Sequence, residues 1–584
     1  MNCSNFSSTI KKILPTIINV LVLLYNLIFK GGCDAYPSGW LSFVNALPKK
    51  GKLLLPKIVR FITVMGIFEK VYQIIMNKRL YSFLKIPSQQ TAYQKFKGCN
   101  LHVMTMRLMK VLAKKTKQKL FVVFTDFEAA FDLVSRRLLF KKLIQLGVSA
   151  LLLQALIAIY AGGKSVVEHN QEYSDYLLLL AGVKQGAPPS GILYIAYTMG
   201  IIDMYKNSFN PEPLIWIYHL LVHADDTLML ATSRELTKQK VLSLLEYCCN
   251  NFIKLQLTKC AFMCINSDDV EDEKPFQFQN LMLNATSEEV YLGSAITNSV
   301  NIADDVKADI KHRQFSIVKY FSFLRCNKNA PTDVKKIILD ACSLSSLLYN
   351  AETWACANLD NLGASYRRML KAILGIGTTV CNEIVYIELG VVSVKVRVLI
   401  KQWRFWNSVL KLEDDDPLVY IVREAEKHKL KEVKHYKKLI ETYATAEEIV
   451  AEFFENMKSS IRKKAEAGRS KYLTYLKINP NLETPTMYDK IQKHTAVSMI
   501  GRLRTSSHNL KVEMGRRSRT PREQRLCVCG NGVEDEEHFL VDCLLYDDIR
   551  RKHGVKNMTV SELLGSEKYV DYVYDLYERR KEIV

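Results

Sequence analysis

Hydrophobic positions in this chain change period several times, and each change marks an element. KLFVVFTDF, residues 119–127, is an apolar run rich in β-branched and aromatic residues that opens on lysine, and it predicts a buried strand. SRRLLFKKLIQLGVSALLLQALIAIY, residues 135–160, spaces its apolar residues three and four apart and breaks at Gly147, which predicts two helices packed on a sheet. In LIWIYHLLVHADDTLMLATS, residues 214–233, two apolar runs flank Ala224, Asp225 and Asp226, the pattern of a β-hairpin with carboxylates in its turn. GGCDAYPSGW (31–40) and PKKGK (48–52) read as loops. Beyond Ile302 the periodicity is mostly helical, as in VKKIILDACSLSSLLYNAETW and ASYRRMLKAILGI. Lysine and glutamate at helical spacing over 427–469 predict a solvated surface helix. The apolar stretch ILPTIINVLVLLYNLIF, residues 13–29, reads as a buried amphipathic helix pair, with a signal anchor as the alternative because Lys11 and Lys12 precede it.

A length of 584 residues is too great for one core and implies two or three domains. Hydrophobic residues at 48% exclude a disordered chain. Lysine and arginine exceed aspartate and glutamate by 81 to 60, and the formal charge of +21 points to a polyanionic partner such as nucleic acid. The 14 cysteines mostly stand singly in apolar runs, like Cys342 and Cys381, which fits a reducing compartment better than a disulfide framework.

The candidate chemistry lies in two groups. Nucleotidyl transfer needs two divalent cations held by hard oxygen ligands, and a carboxylate ending one strand beside two more in a hairpin turn supplies them. Asp126, Asp225 and Asp226 have those settings, although an Asp-Asp pair alone is also an ordinary turn. Near the carboxy terminus, Cys527, Cys529, His538 and Cys543 form C-x-C followed by H-x4-C, four ligands suited to a closed tetrahedral zinc site. C-x-C is tighter than the commoner C-x2-C spacing. The arginine-rich stretch 502–525 before it reads as a phosphate-binding surface or a solvated basic tail.

Order and company decide between these readings. TDFEAAFD (125–132), VKQGAPPSG (183–191) and HADDTLML (223–230) resemble the successive A, B and C motifs of reverse transcriptases. WLSFVNALPKKG with IVRFITV is similar to the fingers motifs, TKCAFMCIN to motif D, and YLGSAIT to motif E. LLYNAETW, RRMLKAILGI and RLCVCGNGVEDEEHFLVDC resemble the segments that follow the polymerase core in non-LTR (LINE-type) retrotransposon proteins. A group II intron maturase or telomerase-like enzyme shares the palm, but LYNAETW and the knuckle favour the LINE type.

The resemblance implies an α/β (α+β) right-hand palm and fingers, then a mostly helical thumb and a small zinc knuckle. Its expected layout is a helical extension of the fingers at 1–45, fingers and palm at 46–300, thumb and connector at 301–425, a basic helical segment at 426–525, the knuckle at 526–548 and a tail at 549–584. The family's amino-terminal endonuclease and a ribonuclease H are expected to be lacking. The implied activity is RNA-directed DNA polymerisation with magnesium or manganese at Asp126, Asp225 and Asp226, and zinc at the knuckle. Expected partners are an RNA template, a DNA primer or target and deoxynucleoside triphosphates, with no membrane. A nuclear and cytoplasmic location is expected, GRRSRTPREQR being a possible nuclear signal or an RNA-binding tail.

By the same resemblance, Arg60 clasps the triphosphate, Phe131 blocks a ribose 2′-hydroxyl, Gln185 and Gly186 contact nucleotide and template, and Lys259 protonates pyrophosphate. Four departures stand out, one being a motif D loop before Lys259 that is short and lacks the expected asparagine. His223 replaces the family's tyrosine; Pro189 is an extra proline expected to stiffen motif B; and Gly191 replaces a proline, which is expected to loosen the next turn. They motivate the alternative of a degenerate or domesticated nucleic-acid-binding protein, in which tyrosine at His223 and proline at Gly191 are expected to restore extension.

Overall fold

The chain is described here by a computed structural model covering residues 3–48, 59–161, 164–169, 172–177, 180–210, 219–278 and 282–583. It divides into two units, one of residues 1–292, 296–301 and 412–428, the other of 293–295, 302–411 and 429–584.

In the first unit, strands β1 (Leu41–Pro48), β2 (Val59–Met65), β4 (Lys164–His169) and β5 (Glu172–Tyr173) form a sheet in the order β2-β1-β4-β5. Strand β1 runs antiparallel to β2 and parallel to β4. The loop predicted at PKKGK lies largely outside the described residues. A second, six-stranded sheet has β3 (Leu120–Thr125) at its heart, between β7 (Asp226–Ala231) and β8 (Ala261–Ile265). The order is β6-β7-β3-β8-β10-β9, with β6 at Leu220–His223, β9 at Phe276–Gln277 and β10 at Met282–Ala285. Every residue of β3 is buried, which is why its text is continuously apolar rather than alternating. Phe121 and Val123 on one of its faces share a core with Met229, Phe262, Ile202 and Leu244. A separate two-stranded sheet pairs Glu288–Tyr291 with Ser294–Thr297.

The two helices predicted after β3 are present at Arg136–Gln145 and Ala150–Ala161. The hairpin predicted around Asp225 is present as β6 and β7, while residues 214–218 of its first run lie outside the described part.

Two expectations need correction. The amino-terminal apolar stretch is one helix, Cys3–Ala35, broken only at Gly32 (φ 57°), so that GGCDA belongs to a helix end instead of a loop. Nor is that helix buried as expected: Tyr25 and Ile28 enter the core beside Tyr72, whereas Val20, Leu23 and Leu27 are exposed. Hydropathy registers that a side chain is apolar but not which way it faces. By length and composition, residues 17–35 suffice to cross a membrane. The stretch 427–469 is likewise no single solvated helix. It contains helices Lys431–Thr442 and Ala446–Glu466, whose inner faces bury Val433, Tyr436, Ile449 and Ile461, with Tyr436 stacked on Trp406 at 4.7 Å between ring centroids.

The second unit is helical. A buried ion pair braces it, in which Arg504 Nε and Nη2 each donate to the Glu388 carboxylate at 2.8 Å, with Tyr475 and Tyr488 donating to the same group.

Candidate functional sites

Asp126 follows the last residue of β3. The register pairs Thr125 with Thr227 in antiparallel fashion, so one step further Asp126 faces Asp226 on the neighbouring strand. Strands β6 and β7 join through the two-residue turn Ala224–Asp225, with His223 opposite Asp226. Ala224 has φ 56°, a left-handed conformation that side chains disfavour. The Gln90 side chain supports it: its Oε1 accepts from Ala224 N at 3.0 Å and from Ala92 N at 2.9 Å. The backbone around Gln90 also pairs with the hairpin, Thr91 N donating to Val222 O at 3.1 Å and Val222 N to Gln89 O at 2.9 Å. Gln90 had no sequence signal beyond the polar text PSQQTAYQ.

The electrostatics report a tight anionic group. Burial first, then the charges of Asp225 and Asp126, raise Asp226 to about 6. Burial raises Asp225 too, with Asp126 adding to it while Arg60 and Lys259 oppose. A divalent cation relieves such mutual repulsion, so the donor set suits magnesium or manganese. The Lys259 ammonium lies directly on Asp126 Oδ2.

Around these carboxylates, Phe131 stacks on buried Tyr194 with ring centroids 4.8 Å apart and meets the edge of Tyr93 at 6.4 Å. Gln185 turns its amide to Asp132 Oδ1 at 2.9 Å, and its carbonyl accepts from Thr63 N of β2 at 2.6 Å. Gly186 is required there: with φ 103°, a Cβ would stand 2.6 Å from Thr63 O. His223 is accommodated by Thr91 Oγ1 at 2.9 Å from its Nδ1, with Cys99 Sγ 3.8 Å from its Nε2, and burial lowers its pKa.

Motif B departs from expectation. Pro189 caps the helix Ser190–Thr198, its carbonyl accepting from Leu193 N at 2.9 Å. At Gly191 a Cβ would lie 2.6 Å from the Tyr93 ring. Glycine makes room for that ring, so proline at 191 would collide with it instead of restoring a turn.

The carboxy-terminal quartet converges fully. One ligand atom from each of Cys527, Cys529, His538 and Cys543 lies within 4.8 Å of all the others. Cys527 and Cys543 sulfurs are 3.7 Å apart, and Cys529 Sγ is 3.2 Å from His538 Nε2. A tight turn brings both thiols of C-x-C inward, Cys527 N donating to Gly532 O at 2.8 Å. His538–Asp542 forms a π-helical turn, and Cys543 N donates to His538 O at 2.8 Å. That wide turn brings residues five apart toward one face, which an α-helix would not do. Burial pushes the Cys543 thiol up to about 12 and raises Cys527. Four convergent, mostly buried N and S donors suit zinc.

Three of the arginines before this cluster are engaged within the fold, whereas Arg517 and Arg519 are exposed. Arg504 is buried against Glu388, Arg522 pairs with Asp535 at 2.7 Å, and Arg525 donates to Thr520 O and Val512 O.

A carboxylate closing a central strand opposite two in a neighbouring hairpin is the arrangement expected of a two-metal polymerase palm. Residues 47–296 match the family of reverse transcriptases (RNA-dependent DNA polymerases), and this segment is a reverse transcriptase domain. Enzymes of this family work with divalent metals. No curated protein matches the chain. Among solved structures, a Candida tropicalis telomerase truncated from its C-terminal domain is similar at 13% identity, over 48% of this chain and 58% of that one, with TM-score 0.31. Telomerase from Candida albicans with a TWJ fragment of telomeric RNA gives 12% identity, 67% and 64% coverage and TM-score 0.31. Apo telomerase from Candida tropicalis gives 12%, 73% and 72%, and 0.33. The chain thus spans less than two thirds of the first two.

Proposed function

We propose that this protein is the RNA-directed DNA polymerase of a non-LTR (LINE-type) retrotransposon, extending a DNA primer on an RNA template. The observation that carries the reading is the meeting of Asp126, Asp225 and Asp226 at the paired ends of β3, β6 and β7, inside a reverse transcriptase domain. The LINE assignment rests on the LLYNAETW segment and on the Cys/His quartet that follows it.

The three carboxylates would hold two magnesium or manganese ions, which supply acidification of the primer 3′-hydroxyl and neutralise charge on the departing phosphates. Arg60 adds positive charge on the triphosphate side of Asp225. Lys259, paired with Asp126, would give its proton to the leaving pyrophosphate. Phe131, in contact with the Tyr194 and Tyr93 rings, would present its ring to the ribose and exclude a 2′-hydroxyl. Gln185 and Gly186, tied to β2 through Thr63, hold the nucleotide and template side of the site. The quartet at Cys527 would hold zinc as a structural ion.

Primer extension on an RNA template tests the reading. The parent chain should extend with magnesium, and Asp225→Asn and Asp226→Asn should each lower the rate at least about a thousandfold, since each removes a ligand of the charge-stabilising ions. No extension by the parent, or equal extension by the variants, defeats it; RNA affinity persisting without any extension would leave the binding-protein alternative.

A further inference from the structure

The second unit contains a cavity of about 950 Å³ that belongs to neither candidate site. Its walls come from helix Phe315–Cys326, helix His494–Arg504 and the carboxy-terminal helix Val570–Ile583. The volume lies near the upper end of ordinary small-molecule sites and admits a nucleotide with its flanking phosphates. Two chemistries line it. Phe321 and Tyr574 supply aromatic surface, Tyr574 being 50% exposed, and the neighbouring Val318 is exposed as well. Arg325, Lys328, Arg502 and Lys581 supply positive charge against a single carboxylate, Glu578, which Lys581 already pairs at 2.6 Å. Arg325 and Lys328 have no ion-pair partner among the described residues, and Arg502 donates only to a carbonyl, Gly375 O at 3.0 Å. The wall also carries a reporter of its own potential. His494 is held below the usual imidazole range by burial and then by Lys335, Lys328 and Arg502.

Rings flanked by unneutralised cations match one kind of occupant. Phosphates satisfy the cations, and a base removed from its stack covers the rings. An acidic peptide would satisfy the charges but leave the rings exposed, and a duplex keeps its bases stacked inside. We propose that this cavity captures an unstacked nucleotide of single-stranded RNA, with the base against Phe321 and Tyr574 and the flanking phosphates on Arg325, Lys328 and Arg502. The choice of RNA over DNA rests on the polymerase reading above; the presence of the site does not.

The test uses the full chain and a short single-stranded RNA carrying 4-thiouridine. Photo-crosslinks should map to peptides containing Phe321 or Tyr574. Tyr574→Ala should weaken RNA binding about tenfold, as loss of one stacked base does, while Tyr574→Trp retains it. Arg325→Glu with Lys328→Glu should weaken binding and lower the salt dependence by about two counterions. Retention by the tryptophan variant also separates lost stacking from a misfolded helix. Crosslinks confined to residues 47–296, unchanged affinity in the alanine variant, or displacement by an acidic peptide would overturn the site. Equal binding of DNA of the same sequence would overturn the assignment to RNA. Crosslinking at Tyr574 in a parent chain that extends no primer would sink the polymerase reading and leave this one standing.

Discussion

The carboxylate turn and the Cys/His quartet are both candidate metal sites, and they are built on opposite plans. The turn gathers like charges that resist being together: Asp225 and Asp226 are both raised above ordinary carboxyl values, and strand register plus the Gln90 side chain hold the turn that carries them. The quartet gathers thiols and an imidazole whose ligand atoms all lie within 4.8 Å. Its scaffold is a short turn and a π-helical turn whose buried Phe539 meets Tyr546 and Tyr577 edge-on. The first is an open site at the paired strand ends, as catalysis on a bound substrate requires. The second is closed, as a structural ion requires.

The largest expected difference is the response to metal removal. Stripping zinc with a chelator, or Cys543→Ser, should cost the carboxy-terminal region most of its cooperative stability, because binding energy of order 10 kcal/mol at structural zinc sites is also folding energy. Withdrawing magnesium should abolish extension and leave the melting temperature of the first unit unchanged. Calorimetry with and without each metal checks both. A quartet region that melts identically without zinc breaks the contrast, as does a first unit that unfolds without magnesium.

Next in size is a change beside the carboxylates. Gly191→Pro should lower extension about tenfold or more, since overpacking against the Tyr93 ring costs about 1–3 kcal/mol of displacement at the nucleotide pocket. Tyr93→Ala removes the obstruction, so Gly191→Pro with Tyr93→Ala should extend better than Gly191→Pro alone. Steady-state kinetics on the four proteins decide it: a proline variant as active as the parent, or a double variant no better than the single, would show that the contact does not matter.

The same contrast explains what was legible in the sequence. Asp126, Asp225 and Asp226 stood out because the text of motifs A, B and C occurs in order around them, and the quartet because its ligand types cluster between residues 527 and 543. Gln90 and Tyr93 were not, since their segment has no periodicity and their partners are brought near only by the fold. Arg504 was misread for a similar reason. Its carboxylate partner Glu388 lies 116 residues away, and a local run of arginines carries no trace of it. The fold was legible where a strand is buried on both faces, as in β3. It was illegible where apolar text faces outward, as in the amino-terminal helix, because burial depends on neighbours that hydropathy does not encode.

The smallest expected effect is a difference in pH dependence, and it follows from the two plans. A carboxylate binds magnesium only when deprotonated, so with Asp226 raised to about 6 protons compete with the metal below that value. Apparent magnesium or manganese affinity should rise up to about tenfold per pH unit below 6 and flatten above it. Without metal the sign for folding is opposite: the folded chain holds that proton more tightly than an unfolded aspartate at about 3.9, so this carboxyl favours the folded state at low pH and the contribution is lost as pH rises through about 6. Cys527 and Cys543 behave otherwise, whereas hydrogen bonding lowers Cys529. With Cys543 pushed up to about 12, zinc must still displace a proton at pH 8, and its apparent affinity should keep climbing through the neutral range. Manganese titration by paramagnetic relaxation and zinc titration by chelator competition, each from pH 5 to about 8.5, measure the two curves. A zinc curve that levels off with the manganese curve near pH 6 would mean the quartet is already ionised without its metal, and the distinction between an open anionic site and a closed thiol site would fail.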